Sequence, residues 1–304
     1  MAAPLFVFIQ FEFPWVLGPA EGRYLLRTEA DGEPERVVVI GALAAGRLLP
    51  GALAARPSRL GQRRRARPRP ANSEPATVPT TRATVVDPVS LSAERQAQAW
   101  LAGLDREHEV LAAAAILNRV LHTHRVASAD PYLREVSPAQ ALVIRAGWGE
   151  GEQVADGGWL HANELPWQTG RRRDRSAALR PQERLAAVLG GRSATLMCEE
   201  LVLRARLDLD QGRPAYAAVQ LDTAYAAAIE ELSAEARPDL AIRVAELAKL
   251  RPQVAELARL ALASESTPAQ EQAQAQALDE EALAHALGRL EATLRARTAG
   301  GFTR

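Results

Sequence analysis

The stretch from Ala194 to Leu232 constrains the fold more tightly than any other part of this 304-residue chain. Apolar residues recur there every three or four positions on both sides of a turn at Gly212, and Pro214 follows that turn. Such spacing is typical of amphipathic helices, and proline is well suited to the first turn of a helix. The pattern predicts two helices joined by a tight turn.

The chain on either side of this hairpin predicts the fold class. Helical spacing continues at about 181–189, 194–210, 214–232, 240–262 with a break at Pro252, and 273–297. Short alternating or apolar runs predict strands at 5–13, 23–27, 36–40, 84–86 and 141–146, with helices at 91–104 and 107–121. Short connections favour an antiparallel meander. We expect an α+β protein, with a small antiparallel β-meander plus helices in its N-terminal domain and an all-α helical C-terminal domain.

Two arginine-rich segments predict the domain boundaries. Residues 46–82 are rich in Pro, Arg, Ala and Ser without apolar periodicity, which indicates a linker inside the N-terminal domain. Residues 169–180 contain RRRDR and indicate a basic hinge. We therefore expect an α+β domain at 1–168, interrupted by the linker, and a helical domain at 181–304.

The hairpin at 194–232 is similar to a single tetratricopeptide-repeat unit. The match consists of small or apolar residues at the turn and along the second helix: Gly212, Ala217, Leu221 and Ala224. The resemblance implies close packing of the two helices through these residues, together with peptide binding. Arg204 and Asp208 depart from the family pattern, and no copy recurs about thirty-four residues on. The resemblance therefore implies a lone hairpin rather than an array.

The near absence of lysine and cysteine argues against several classes of protein. Lys249 is the only lysine, and its context, ELAKLRP, matches neither a P-loop, nor a kinase strand, nor a pyridoxal-phosphate site. Cys198 is the only cysteine, which excludes internal disulfides and zinc sites built on paired cysteines. We expect no cofactor.

The sequence also indicates in which compartment of the cell the protein resides. Residues 37–55 are almost wholly apolar and precede an arginine-rich stretch, but Arg47, Pro50 and three glycines interrupt them. We interpret this segment as a buried strand that runs into a loop, and we do not expect membrane contact. The N-terminus lacks the basic region of a signal peptide, and the lone cysteine fits a reducing compartment. The prediction is a cytoplasmic protein.

A histidine pair is the sharpest candidate metal site. His122 and His124 lie near the predicted helix end at Leu121, and Asp130 follows them. On a helix, side chains two positions apart point about 200° apart and cannot share an ion, whereas on an extended segment they can. The alternative interpretation is a pair of histidines that interact favourably with the negative end of the helix dipole.

Aromatic and acidic side chains between Trp148 and Trp167 form a candidate ligand or hydrolytic site. Aromatic faces beside carboxylates are used by sugar sites and by general acid–base catalysts. The candidate ligand residues are Trp148, Glu150, Trp159 and His161. The same residue types also decorate ordinary polar hairpins, so that alternative stays open.

The linker is the candidate nucleic-acid contact. Eight arginines lie between Arg56 and Arg82 against a single acidic residue, Glu74. Because no aromatic residues are interleaved, binding there would be phosphate-led and sensitive to salt. The candidate phosphate contacts are Arg63, Arg64, Arg65 and Arg67.

Together these patterns favour a non-enzymatic adaptor or assembly protein that uses its helical domain to contact a protein partner or a second copy of itself. The leucines of the last predicted helix, spaced four, three and four residues apart, support this interpretation: Leu283, Leu287, Leu290 and Leu294. Two alternatives remain, a ligand-binding or hydrolytic protein with a site in the Trp148–Trp167 region, and a nucleic-acid-associated protein that uses the arginine-rich linker.

Overall fold

The computed structural model describes residues 3–27, 32–43, 80–154, 156–167, 181–263 and 278–299. These residues form two compact units, one containing the described residues up to 167 and the other containing those from 181 onward. The first unit is α+β and the second is helical, so the predicted fold class is confirmed.

The N-terminal unit is built on a six-stranded antiparallel sheet with the order β2-β3-β4-β1-β5-β6. The strands are β1 Leu5–Phe13, β2 Gly22–Leu26, β3 Arg36–Leu43, β4 Thr80–Val86, β5 Val143–Glu150 and β6 His161–Glu164. Strands β2, β3 and β4 form an antiparallel meander. The expected meander that begins with β1 is wrong, because β1 pairs with β4 and β5 rather than with its sequence neighbour β2.

The central position of β1 explains its apolar composition. Its alternate residues from Leu5 to Phe13 face helices on one side of the sheet, which we call the helix-covered face. Phe8 and Gln10 point to the opposite, distal face and are also buried. The buried amide of Gln10 donates a hydrogen bond from Nε2 to Thr84 Oγ1 on β4, at 2.8 Å, and this bond offsets part of the cost of burying the amide.

Two helices, α1 Glu94–Ala102 and α2 Arg106–Ser128, cover one face of the sheet. Asp105 caps α2 by accepting a hydrogen bond from the backbone N–H of His108, at 3.2 Å. The helix ends at Ala129, which adopts a left-handed conformation with φ of 51°. The predicted end of this helix near Leu121 is therefore wrong. Short 3-10 segments at Pro138–Gln140 and Gly151–Val154 flank β5.

The described part of the C-terminal unit contains five helices. They are α3 Pro181–Leu189, α4 Met197–Asp210, α5 Pro214–Ala234, α6 Pro238–Leu262 and α7 Glu280–Ala299. Helices α4, α5 and α6 pack in sequence, and α7 packs against all three. The predicted break at Pro252 is wrong, because α6 continues through it. Buried Leu247 and Val254 hold the two halves of α6 on the same core.

The regularly spaced leucines of α7, which we call the leucine seam, pack into the core of this unit. Leu283, Leu287 and Leu290 are almost fully buried and belong to the same core as residues of α4, α5 and α6. The hydroxyl of Tyr225 on α5 donates a 2.7 Å hydrogen bond to the backbone carbonyl of Ala286 on α7. The seam therefore stabilises the unit itself and does not present an apolar stripe for another chain.

Three predicted segments lie partly or wholly outside the described residues. The linker prediction of 46–82 extends too far, because residues 80–82 belong to β4. The rest of the linker and the predicted hinge at 169–180 lie outside the described residues. The apolar stretch at 37–55 begins as part of β3. Among the helices that the structure describes, none is both long and apolar enough to cross a membrane.

Candidate functional site

The distal face of the sheet carries a cluster of charged side chains from three strands. The pairing register aligns Glu12 with Arg82, and Gln10 with Arg145. Side chains of all four point to the distal face because they alternate with the residues on the helix-covered face. The strands therefore place one guanidinium group on each side of the Glu12 carboxylate.

Glu12 is the centre of this cluster. Its Oε1 accepts a hydrogen bond from Nη1 of Arg145 at 2.6 Å and one from Nη2 of Arg82 at 3.4 Å. The second terminal nitrogen of Arg145 reaches Oε1 of Glu164 on β6, at 3.3 Å. The Glu12 carboxylate is mostly buried, so its pairing with two arginines offsets the cost of removing it from water.

Trp159 covers both guanidinium groups. The Cζ atoms of Arg82 and Arg145 lie 5.7 Å and 5.6 Å from its ring centroid, within the range of cation–π attraction. The ring of Phe8 lies 5.9 Å away on the same face. Trp159 thereby joins the segment that precedes β6 to strands β4, β1 and β5.

Two glycines of β5 allow this segment to approach the sheet. A Cβ atom at Gly147 would lie 2.2 Å from the carbonyl oxygen of His161, and one at Gly149 would lie 2.9 Å from Cα of Trp159. Both contacts involve backbone that cannot move without displacing the segment. Close packing on the distal face thus explains the glycines at 147 and 149.

The cluster is best explained as a structural clamp. The arginine donors are directed at Glu12 and Glu164, and their planar faces are covered by Trp159. Two polar atoms, Gln10 Oε1 and Arg82 Nε, are buried without a hydrogen-bond partner in the described part of the chain. The arrangement fixes the β5–β6 region, and it contains no nucleophilic side chain beside a base.

The structure divides the candidate ligand residues between the two faces of the sheet. Trp148 is buried on the helix-covered face, where its ring stacks on His161 at a centroid distance of 4.6 Å. Trp159 lies on the distal face, and Glu150 is exposed at the end of β5. Only Trp148 and His161 are brought together. The distal cluster itself was missed, because its members are 70 and 133 residues apart in sequence.

The candidate metal residues are also kept apart. His122 and His124 lie inside α2, two positions from each other. His122 Nδ1 lies 3.5 Å from a carboxylate oxygen of Glu135, while Asp130 accepts a hydrogen bond from the backbone N–H of Tyr132 at 2.9 Å. Across the described ranges, no group of three or more His, Cys, Asp or Glu residues is placed to hold an ion.

The helical hairpin residues lie at the contact between α4 and α5. Gly212 adopts φ of 68° at the turn, a conformation in which a Cβ atom would be strained. The three other residues of the hairpin motif, Ala217, Leu221 and Ala224, are buried on α5. The buried Asp208 of α4 pairs with Arg213 at 2.7 Å, which ties the end of one helix to the start of the next.

The outer face of α4 presents large apolar side chains to solvent. Leu203 and Leu207, four residues apart, are 66% and 43% exposed, and Tyr216 at the start of α5 is 54% exposed. The opposite face of α4 packs into the core through Cys198, Val202 and Ala205. A helix with leucines on both faces is the signal that identifies this surface from sequence, and it was missed.

Arg63, Arg64, Arg65 and Arg67 lie outside the described residues. Comparison of the chain with models of protein families, with curated proteins and with solved structures finds no significant match.

Proposed function

We propose that this protein is a non-enzymatic adaptor or assembly protein, and that its helical unit contacts a protein partner through the outer face of α4. The observation that supports the proposal is the exposure of Leu203 and Leu207, one helical turn apart on the same face of α4, whose opposite face packs into the core. A cytoplasmic location belongs to the proposal and is supported by the single, unpaired Cys198.

The apolar side chains of this surface provide the driving force for association. Complete burial of one leucine side chain contributes about 1.5–3 kcal/mol, so two leucines one turn apart on a helix can form the centre of an interface. Charged pairs border the leucines, with Arg204 bonded to Glu200 at 3.0 Å and Arg206 lying 3.7 Å from Asp210. These pairs form the polar rim that protein interfaces generally have. The matching partner surface is an apolar stripe with charged edges.

Photo-crosslinking tests this proposal. A photoreactive amino acid replaces Leu203 in the full chain, and the matched control carries it at Ile242 on α6, which is 75% exposed. We expect a defined crosslinked species from position 203 that is absent from position 242. Sedimentation equilibrium of the purified chain shows whether the crosslinked partner is a second copy of the chain.

The crosslinked protein is then purified and its binding to the full chain is measured directly. Leu207→Ser, which leaves the crosslinking position intact, should weaken that binding about tenfold or more. Equal crosslinking from both positions, or reconstituted binding that Leu207→Ser leaves unchanged, contradicts the proposal.

A further inference from the structure

An open cleft lies between the edge strand β2 and the C-terminal half of α2. Its cavity volume is about 360 Å³. On the helix side, the walls are formed by residues that share one face of α2: Arg119, Val120, Thr123, His124 and Ala127. On the sheet side, they are formed by Tyr24, Leu25, Leu26 and Arg27. This volume lies within the range of small-molecule sites, about 300–1,000 Å³.

The described residues that line this cleft carry basic groups and no acidic one. Arg27 and Arg119 each contribute a guanidinium group to the lining, and His124 contributes an imidazole. Nε of Arg27 donates to the carbonyl of Gly32 at 3.0 Å, and its terminal nitrogens have no partner among the described residues. The guanidinium of Arg119 and the ring of His124 make no hydrogen bond or ion pair with any described residue.

The unused donors of Arg119 distinguish it from most other described arginines. Arg82, Arg145 and Arg206, for example, all donate to carboxylates. Among the described residues, the side chain of Arg119 has no hydrogen-bond or ion-pair partner, while its backbone carbonyl accepts a 2.8 Å hydrogen bond from the hydroxyl of Thr123. Because a guanidinium binds carboxylate or phosphate oxygens with paired hydrogen bonds, an unused one in a cleft that a second arginine also lines favours an anion.

Apolar side chains complete the walls of the cleft. Leu26, Val120 and Ala127 line it together with the cationic groups. A free inorganic anion gains nothing from such a surface, whereas a short apolar chain is removed from water there. We propose that this cleft binds a small amphipathic anion, in which a terminal carboxylate or phosphate meets Arg27, Arg119 and His124 and a short apolar body lies against Leu26, Val120 and Ala127. The proposal is independent of the role of α4.

Isothermal titration calorimetry of the full chain tests the ligand class with four probes. Octanoate and octyl phosphate carry both an anionic head and an apolar chain, octanol carries only the chain, and inorganic phosphate carries only the head. We expect saturable binding of octanoate, octyl phosphate or both, at least about tenfold tighter than octanol or inorganic phosphate. Binding of octanoate alone identifies a carboxylate site, and binding of octyl phosphate alone identifies a phosphate site.

Three variants locate the binding. Arg119→Gln should weaken it about tenfold, since one charged hydrogen-bond donor is lost. Arg106→Gln is the matched control, because it removes an exposed arginine from the first turn of the same helix and should change affinity less than about twofold. Ala127→Trp keeps every charge but fills the cleft, so it should abolish binding of the octyl probes.

Circular dichroism confirms that each variant is folded before titration, and each altered position is exposed on α2. The proposal is overturned if none of the octyl anions binds at about 1 mM, or if inorganic phosphate binds as tightly as octyl phosphate. It is also overturned if Arg119→Gln and Ala127→Trp bind the probes as the wild-type chain does.

Discussion

Asn118 and Val136 form a closed pair of hydrogen bonds in the core of the N-terminal unit. The Nδ2 group of Asn118 donates to the carbonyl of Val136 at 2.8 Å, and the backbone N–H of Val136 donates to Oδ1 of Asn118, also at 2.8 Å. Asn118 is almost completely buried on α2. The Asn118 amide therefore supplies the hydrogen bonds that water would otherwise give to the N–H and carbonyl of Val136, and it fixes the segment after α2 against the helix.

Replacement of Asn118 by alanine should strongly destabilise the α+β unit. The substitution leaves a buried N–H and a buried carbonyl without partners, which costs about 2–4 kcal/mol. All five tryptophans precede residue 168, so tryptophan fluorescence during urea unfolding reports on this unit. Asn163→Ala, at an exposed position on β6, is the control and should change the free energy of unfolding by less than about 0.5 kcal/mol. Equal effects of the two substitutions would contradict the role of the Asn118–Val136 pair.

Gly149→Ala should also destabilise this unit. A Cβ atom there would meet the backbone of Trp159 at 2.9 Å and displace the segment that covers the distal face. We expect a loss of about 2 kcal/mol or more. Gly41→Ala is the matched control, because Gly41 is also in a strand but has open space around its Cα. That control should be neutral or slightly stabilising, since alanine restricts the unfolded chain.

Measurement of both glycine variants by tryptophan fluorescence separates packing from strand propensity. A propensity effect would act alike at the two positions and would favour alanine at both. A Gly149→Ala variant as stable as Gly41→Ala would show that the Trp159 segment does not lie close against β5.

Local sequence patterns predicted the secondary structure where periodicity was strong. The alternation from Leu5 to Phe13 and the helical spacing after Pro214 both correspond to elements in the structure. The position of β1 was not predictable in the same way, because its partners β4 and β5 are distant in sequence and short loops favour pairing of neighbours. Helix α2 was predicted too short because His122, Thr123 and His124 resemble a polar terminus, whereas the helix continues to Ser128.

The distal cluster could not be predicted for a related reason. Glu12, Arg82 and Arg145 come from three separate strands, and their meeting depends on sheet order and register. A single sequence shows each as an isolated charge near a strand. The cleft at Arg119 and His124 depends likewise on how α2 lies against β2. Tertiary placement, rather than residue type, defines both.

Cys198 should react with thiol reagents only when the helical unit opens. It is fully buried at the start of α4, and burial, together with the nearby Glu231 carboxylate, raises the pKa of its thiol well above the ordinary value. Because the thiolate is the reactive form, modification at about pH 8 should be about 1,000-fold slower than in urea. The control is Ser233→Cys in a Cys198→Ser background, which places the only thiol at an exposed position on α5. Rapid modification of native Cys198, comparable to that of the control, would contradict the packing of α4.

Pro252→Ala should stabilise the helical unit. Pro252 lies inside α6 on an exposed position, where it removes the hydrogen bond to the carbonyl four residues earlier. Alanine restores that bond, and we expect a gain of about 1–3 kcal/mol in the free energy of unfolding. Pro238→Ala is the matched control at the first position of the same helix, where proline costs nothing, so no gain is expected. Circular dichroism during urea unfolding measures both, and a loss of stability in Pro252→Ala would indicate that the unit requires a proline-induced bend.

Glu231 supplies a cap that the local sequence lacks. The residue before α4 is Leu196, whose side chain cannot accept a hydrogen bond. The two carboxylate oxygens of Glu231, on α5, accept instead from the backbone N–H groups of Met197 at 2.8 Å and Cys198 at 3.1 Å. Burial acts to raise the pKa of Glu231, but these hydrogen bonds and the charge of Arg297 outweigh it, so the pKa lies below its ordinary value of 4.5.

Glu231→Ala should therefore destabilise the helical unit in a pH-dependent manner. At about pH 7 we expect a loss of about 1 kcal/mol, as for other helix caps, while Glu230→Ala at the neighbouring exposed position should have little effect. A carboxyl group whose pKa is lowered on folding contributes stability above its unfolded pKa and loses it as the pH falls through its folded pKa. The difference between wild type and Glu231→Ala should accordingly shrink below pH 4.5. Urea unfolding at several pH values, followed by circular dichroism, measures it, and a difference that stays constant down to about pH 3 would rule out the ionised cap.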